Sequence, residues 1–198
     1  MEDCIKIGLF GGSFDPIHNG HLQLASWTKD KLSLNRIIFI PAEIPPHKQH
    51  VPMTDSEHRY RMVQMAIENY PDFEISDVEL KRKGISYTID TIYYYQKLFT
   101  LCKDNLFLII GADSLVEFSS WRYPDKILNN CQVVVLQRPE INLDKALTEF
   151  KRQVMILQSP LIEISSTKIR QRVKIGKSIS DFVPPPVERY IYELNLYR

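Results

Sequence analysis

Two histidines, His18 and His21, stand three residues apart in the sequence, shortly after the paired glycines Gly11 and Gly12. The apolar run before the glycines is too short for a helix, and it predicts a buried strand that runs into a loop. From Asn19 onward the apolar residues take the spacing of an amphipathic helix. The segment therefore predicts a strand, a glycine turn and a helix start, with both histidines at the first turn of that helix.

This arrangement suits the binding of an anion. The first backbone N–H groups of a helix lack partners within it, and the helix dipole adds partial positive charge there. Glycines let the chain approach a phosphate closely, and imidazoles spaced i, i+3 can face the same oxygens. Two alternatives remain: one histidine caps the helix while the other packs in the core, or the pair binds zinc, although no Cys or Glu stands at ligand spacing nearby. With the hydroxyl of Ser13, the combination favours a phosphate site.

A second candidate site is the run Ser165, Ser166 and Thr167, followed by Arg170. Consecutive hydroxyl residues suit the N-cap of a helix, whose open amides can receive phosphate oxygens. Arg170 lies one turn into that helix and can reach back with a bidentate guanidinium. Alone, this run would be read as an ordinary cap with a surface arginine. Together with the histidine pair, it favours a second helix start that binds phosphate.

The elements that must position these groups alternate between strand and helix. Short apolar runs predict strands at Ile5–Phe10, 36–41, 106–110, 133–136 and 155–157, with a bent or bulged extended segment at 73–80. One helix is predicted from Asn19, and a second begins at a capping box of Thr54 and Glu57. A third helix, capped by Ser86 or Thr88, has an apolar face of Ile89, Ile92, Tyr93 and Leu98. Further helices are predicted at 143–154, from 165 to about 175, and in a final segment that ends near 194.

This order predicts an α/β fold, a Rossmann-like doubly wound parallel sheet with a C-terminal helical segment. We expect a single domain over residues 1–198, in which about 165–198 form the helical part. In such sheets ligands bind beyond the carboxyl ends of the strands, where the strand order switches. The polar residues singled out above follow apolar runs, so they are expected to converge on that edge.

Composition narrows the class of protein. The chain of 198 residues, 44% hydrophobic and 25% charged, is typical of a soluble globular domain. Its net charge of +1 favours neither a nucleic acid nor a membrane surface as partner. Cys4, Cys102 and Cys131 are too widely spaced for a disulfide framework, and the acidic start lacks the features of a signal peptide. No apolar stretch approaches the length of a membrane span. These features predict a cytoplasmic protein.

The segment GGSFDPIHNGH resembles the signature of the nucleotidyltransferase superfamily that carries a His-x-Gly-His motif, with Ser13 in place of the usual Thr. ISSTKIR, from Ile164 to Arg170, closely resembles the ISSTxIR element of the same superfamily. Further elements resemble those of the bacterial nicotinate-nucleotide adenylyltransferases: IPPHK with His47 and Lys48, SYTIDT from Ser86, GAD from Gly111, Trp121, and Arg138-Pro139 with Glu140 in place of the customary Gly. The resemblance runs from Ile5 nearly to the C-terminus.

The resemblance implies transfer of AMP from ATP to nicotinate mononucleotide, giving nicotinate adenine dinucleotide and pyrophosphate, with Mg²⁺ bound through the ATP phosphates. The expected catalytic residues are His18, His21, Lys48 and Arg170. The expected ATP-binding residues are Gly11, Gly12, Ser13, Phe14, His18, His21, Gly111, Asp113, Ile164, Ser165, Ser166, Thr167 and Arg170. The expected nicotinate mononucleotide-binding residues are Ser13, His47, Lys48, Thr88, Trp121 and Arg138.

Several alternatives stay open at the level of sequence. A nicotinamide mononucleotide or pantetheine-phosphate adenylyltransferase, or a cytidylyltransferase, would share the histidine motif, and a nucleotide-binding regulator without catalysis is a more distant alternative. The sequence does not settle the preference for nicotinate over nicotinamide. No cation is evident near Thr88 or Trp121, so backbone amides are expected to bind the nicotinate carboxylate. Whether the chain forms a homo-oligomer is also left open.

Overall fold

The computed structural model describes residues 5–46, 49–137, 150 and 153–198 of the chain. Six parallel strands form one sheet in the order β3-β2-β1-β4-β5-β6. The strands are β1 Ile7–Gly12, β2 Arg36–Pro41, β3 Phe73–Ile75, β4 Leu106–Gly111, β5 Gln132–Gln137 and β6 Val154–Gln158.

Helices connect and flank these strands. In the described part of the chain they are α1 Asn19–Leu32, α2 Ser56–Ile67, α3 Val78–Arg82, α4 Thr88–Phe99, α5 Ala112–Val116, α6 Pro124–Asn130, α7 Ser166–Lys174 and α8 Pro185–Glu193. The predicted Rossmann-like, doubly wound α/β fold with a C-terminal helical segment is confirmed. No helix among the described residues is long and apolar enough to span a bilayer.

Both faces of the sheet are covered, because alternate side chains of each strand enter different cores. Phe10 and Phe39 pack in one cluster with α1, α2, α7 and α8, whereas Leu9 and Ile40 pack in the other with α4, α5 and α6. Strands with two buried faces read as continuous apolar runs, and this explains why the strands were readily predicted. The strand order reverses direction between β1 and β4, and the site lies at that point.

Two predicted helix starts are corrected by the structure. The cap of α2 is Asp55 rather than Thr54, since the Asp55 carboxylate accepts a hydrogen bond from the Glu57 amide at 2.8 Å. Helix α4 is capped by neither Ser86 nor Thr88. The Ser86 hydroxyl instead accepts a hydrogen bond from the Glu43 amide at 2.9 Å, which makes it a link between two loops.

Two further details differ from the prediction. The extended segment predicted at 73–80 is a short strand, Phe73–Ile75, followed by helix α3. The buried face of α4 carries Ile89, Ile92, Thr91 and Tyr95, whereas the predicted Tyr93 and Leu98 are exposed because they point away from that face. Of the helix predicted at 143–154, residues 143–149 and 151–152 lie outside the described residues, and Val154 begins β6.

Candidate active site

A cavity of about 600 Å³ opens at the carboxyl ends of β1 and β4. Its floor is apolar, and a half-buried Trp121 on its wall contacts Phe118 with ring centroids 5.2 Å apart. Several predicted site residues line it, which places them at the switch in strand order as expected: Gly11, Gly12, Ser13, Thr88, Gly111 and Trp121. Pro45 and Pro46, which precede the predicted phosphate-binding loop residues, line it as well.

The histidine pair begins α1 at the end of the loop that follows β1. The amide of His21 donates to Nδ1 of His18, and the amide of His18 donates to Nδ1 of His21, both at 3.3 Å. The two rings stack with centroids 3.7 Å apart, and Phe14 contacts His21 edge to face. Because each Nδ1 accepts an amide hydrogen bond, each neutral ring carries its proton on Nε2. Capping and an anion-binding role are thus compatible within one pair of side chains.

Helix α7 is fastened to the same loop. The Ser166 hydroxyl donates to the Pro16 carbonyl at 2.8 Å, and the Arg170 guanidinium donates to the Asp15 carbonyl at 2.7 Å. Ser165 caps the helix as predicted, since its hydroxyl accepts from the Lys168 amide. The starts of α1 and α7, about 150 residues apart in sequence, therefore meet at residues 15–16.

The buried residue Arg59 was not predicted from the sequence. Its side chain is 1% exposed and donates to three backbone carbonyls: those of Thr54, Ser13 and Glu43. Burial lowers the pKa of the guanidinium, and the nearby charge of Asp15 opposes that effect. Arg59 thus fixes the glycine loop after β1 against the loop after β2.

Spacing on α2 contained the signal for Arg59. The residue stands three positions before Met62 and four before Val63, both fully buried, so helical periodicity places it on the core face.

A second buried ionisable side chain, Glu79, lies in the wall of the cavity. Glu79 accepts a hydrogen bond from Thr91 at 2.6 Å and lies 3.7 Å from the Arg82 guanidinium. Burial raises the pKa of Glu79, while hydrogen bonds from Thr91 and Ser86 act in the opposite direction. Since Ser86 also accepts from the Glu43 amide, Glu79 helps to anchor the loop that leads toward residues 47–48.

The structure also corrects the expectation that no cation stands near Thr88 or Trp121. Arg122 lines the rim of the cavity beside Trp121, and its guanidinium lies over the Tyr87 ring at 4.4 Å from the centroid. Its position directly after Trp121 in the sequence was the available signal.

The remaining predicted residues lie elsewhere. Asp113 is exposed on α5, and Ile164 packs against the core before α7, so neither lines the cavity. Thr167 stands in the first turn of α7, where its hydroxyl accepts a 3.4 Å hydrogen bond from Arg170. His47, Lys48 and Arg138 lie outside the described residues.

Taken together, a parallel sheet with a cavity at its switch point and two helix starts joined at one glycine loop define a nucleotide-binding protein of the Rossmann-like class. Comparison with known proteins narrows this class. A cytidylyltransferase-like family model matches residues 9–172. A protein of Clostridium tetani (strain Massachusetts / E88), named "Probable nicotinate-nucleotide adenylyltransferase", is 41% identical, with 98% of this chain and 99% of that protein covered.

A second relative, from Thermoanaerobacter sp. (strain X514), carries the same name and is 38% identical over 100% of this chain and 97% of its own. The chain therefore belongs to the cytidylyltransferase-like family, among its nicotinate-nucleotide adenylyltransferases. A solved structure with the same fold is Plasmodium falciparum nicotinic acid mononucleotide adenylyltransferase complexed with NaAD. Its TM-score is 0.81 at 20% identity, with 98% of this chain and 97% of that one covered. The family resemblance inferred from the sequence is confirmed.

Proposed function

We propose that this chain transfers AMP from ATP to nicotinate mononucleotide, forming nicotinate adenine dinucleotide and pyrophosphate. The observation that carries the proposal is the reciprocal cap of His18 and His21 at the end of the loop from the cavity-lining Gly11 and Gly12. The names of the relatives support the same reaction.

In the reaction, a phosphate oxygen of nicotinate mononucleotide attacks the α-phosphorus of ATP. The new P–O bond forms as the bond from the α-phosphorus to the bridging oxygen breaks, and the electron pair leaves with pyrophosphate. The attacking phosphate is already an anion at neutral pH, so no general base is needed. The protein must bring two polyanions together, and positioning can supply about 7–11 kcal/mol of the barrier reduction.

We assign the stabilisation of charge to the donors at the two helix starts. The Nε2–H groups of His18 and His21 suit the α-phosphate oxygens, with His21 as the main donor in the transition state. Arg170 and the amides of Ser166 and Thr167 suit the other ATP phosphates. Sequence resemblance adds the remaining expected contacts: Phe14, Gly111, Asp113, Ile164 and Ser165 for ATP, Ser13, Thr88, Trp121, His47 and Arg138 for the mononucleotide, and Lys48 for the phosphates of both substrates.

Mg²⁺ fits this site as a companion of ATP. The groups around the glycine loop are imidazoles, hydroxyls, amides and guanidinium, which are donors for phosphate oxygens, and the buried Asp15 carboxylate accepts from the Tyr197 hydroxyl at 2.7 Å. The protein residues thus fit the phosphates, and the metal would be held through them while it neutralises part of their charge. Action in the cytoplasm and the oligomeric state stay predictions.

The test is turnover by the purified chain with ATP and Mg²⁺, measured as pyrophosphate release. Nicotinate mononucleotide, nicotinamide mononucleotide and phosphopantetheine are compared as acceptors. We expect the nicotinate substrate to give the highest kcat/KM. Preference for phosphopantetheine would contradict the proposal, and binding of both substrates without release of pyrophosphate would indicate a regulator.

A further inference from the structure

The segment after α8 folds back onto the loop that follows β1. The amide of Leu196 donates to the Ile191 carbonyl at 3.0 Å, and Tyr197 adopts a positive φ of 66°. A tyrosine rarely takes this conformation unless its surroundings hold it there. Its ring packs against the core, and its hydroxyl donates to Oδ1 of Asp15 at 2.7 Å. A side chain 182 residues away in sequence thus bonds the loop that leads to the histidine pair.

The Asp15 carboxylate depends on this hydroxyl for its best hydrogen bond. Asp15 is 5% exposed, and its other described bond to the carboxylate comes from the Thr54 amide at 3.4 Å. A bond of 2.7 Å between oxygens is well formed, whereas one of 3.4 Å is long. Burial and the charge of Asp15 raise the pKa of the Tyr197 hydroxyl, so the hydroxyl keeps its proton for this bond at neutral pH.

Arg170 lies beside the same carboxylate without forming an ion pair with it. Its guanidinium donates to the backbone carbonyl of Asp15 at 2.7 Å, and its charge opposes the rise in the pKa of the Tyr197 hydroxyl. None of the ion pairs between described residues includes Asp15 or Arg170. A buried carboxylate ordinarily pairs with a cation within reach, because an unpaired buried charge is costly. The hydrogen bond from Tyr197 explains why Asp15 does not do so here.

From these contacts we infer that Tyr197 is a positioning residue for the binding of ATP. Its hydroxyl holds the Asp15 carboxylate away from the Arg170 guanidinium, so that Arg170 keeps N–H groups for the phosphates of ATP. The inference rests on the proposed function and goes beyond it, because it assigns an indirect role in substrate binding to a side chain that does not line the cavity.

Loss of the hydroxyl creates a competition between two anions for Arg170. Without Tyr197 as donor, the Asp15 carboxylate keeps only the long bond from Thr54 and turns toward a guanidinium. Arg59 is already occupied, since it donates to three backbone carbonyls, whereas Arg170 donates to one carbonyl and, at 3.4 Å, to a hydroxyl. The phosphates of ATP must then displace a carboxylate from Arg170. The binding of nicotinate mononucleotide, which is not assigned to Arg170, is unaffected.

The experiment compares the steady-state kinetics of Tyr197→Phe with those of the unaltered chain, with each substrate varied in turn. We expect KM for ATP to rise on the order of tenfold, as for the loss of one hydrogen bond to a charged group. KM for nicotinate mononucleotide and kcat should change little. A merely structural role of the hydroxyl would give a different pattern, because a smaller folded fraction lowers kcat and leaves both KM values unchanged.

A second variant tests the competition itself. Asp15→Asn, introduced into Tyr197→Phe, keeps an acceptor oxygen for the Thr54 amide and removes the charge that competes for Arg170. We expect the double variant to recover most of the loss in KM for ATP. If KM stays as high as in Tyr197→Phe alone, the inference is wrong. Urea denaturation checks that each variant is folded, and the single variant decides the question if the double variant is not.

Tyr190→Phe is the matched control. Tyr190 lies on α8, its hydroxyl bonds Nδ1 of His58 at 2.9 Å, and it is not among the residues that line the cavity. The control loses one hydroxyl bond, as Tyr197→Phe does, and should keep both KM values. Equal KM for ATP in the two variants would overturn the inference. A lack of turnover in the unaltered chain would instead overturn the proposed function, so the two failures are distinguishable.

Discussion

Each imidazole of the pair His18 and His21 uses Nδ1 to accept an amide hydrogen bond at the start of α1, and this leaves the ring proton on Nε2. A neutral Nε2–H donor can bind a phosphate oxygen without a change in protonation. The ring stacking at 3.7 Å keeps the two donors in a fixed relation to each other. The helix cap therefore also determines which ring nitrogen of each histidine carries the proton.

We expect His21→Ala to lose far more turnover than stability. Loss of one donor to the transition state lowers kcat on the order of 10²–10³-fold. Loss of the cap costs about 1 kcal/mol of unfolding free energy, because the His18 amide loses its acceptor. Pyrophosphate release and urea denaturation measure the two effects.

The control is His58→Ala, at a histidine on α2 that bonds the Tyr190 hydroxyl at 2.9 Å and takes no part in the cap of α1. We expect its turnover to stay near that of the unaltered chain. A His21→Ala variant that turns over as fast as His58→Ala would rule out the proposed role.

At the scale of elements, the site is made of loops, and a few side chains fix their relative positions. Arg59 joins the loops after β1 and β2 through two carbonyls, those of Ser13 and Glu43. Ser166 and Arg170 join α7 to the first of these loops. Side-chain hydrogen bonds thus hold the loops of the site in place, as backbone hydrogen bonds hold the strands of the sheet.

Arg59→Met should destabilise the protein by about 3 kcal/mol, since three part-buried carbonyls lose their donor. Arg61→Met is the control on the same helix, because Arg61 is exposed and bonds only Gln64 among the described residues, at 2.6 Å. The free energy of unfolding in urea measures both. Equal stability of the two variants would show that Arg59 does not fasten the loops.

The glycines Gly20 and Gly111 give opposite expectations. A Cβ on Gly20 would lie 2.8 Å from Cγ2 of Ile162 and 3.1 Å from Nδ1 of His18, so Gly20→Ala should shift the start of α1 and reduce both stability and turnover. Gly111 lines the cavity with φ of −80°, and a Cβ there meets no protein atom within 4 Å.

Gly111→Ala should therefore fold with unchanged or slightly higher stability. Its KM for ATP should rise, because the added methyl group takes space in the cavity. Thermal denaturation measures the stability of the two variants, and steady-state kinetics measure their turnover and KM. Loss of stability in Gly111→Ala, or none in Gly20→Ala, would contradict this account of the site.

At the scale of the whole molecule, two apolar cores enclose the sheet. Two titratable side chains, Cys131 and Tyr95, are buried in one of these cores. Cys131 is fully buried after α6, and burial raises the pKa of its thiol to about 12. Burial also raises the pKa of Tyr95 to about 12. In the unfolded chain the pKa of the thiol is about 8.5 and that of the tyrosine hydroxyl is about 10.

Because the folded state keeps protons that the unfolded state releases, stability should fall as the pH rises above about 8.5. The thiol of Cys131 alone should account for a loss of about 1.4 kcal/mol between pH 7.5 and pH 9.5. Cys131→Ala should remove that part of the slope in urea denaturation at the two pH values, and Cys102→Ala, at an exposed thiol, is the matched control. An unchanged slope in Cys131→Ala would contradict the assignment.

Much of the fold was predictable because the strands are buried on both faces and the helices carry periodic apolar residues. Details failed where a local choice depended on a distant partner. Thr54 and Asp55 are both good caps, and in the structure Asp55 is the cap while the backbone of Thr54 bonds Asp15 and Arg59. The sequence allowed Ser86 to cap α4, but its hydroxyl accepts a hydrogen bond from the Glu43 amide instead.

The sequence by itself determined the strand, the glycine turn, the paired histidines and the hydroxyl-rich helix start, because these depend on spacing within about ten residues. Only the tertiary structure decided that Arg59 would be a buried loop anchor and that Arg122 would share a cavity with Thr88 and Trp121. The physical reason is that helical spacing can place a charged side chain on a buried face, but it cannot name the groups that the side chain will bond. Its role depends on which carbonyls, rings or ligands the folded chain brings within reach of it.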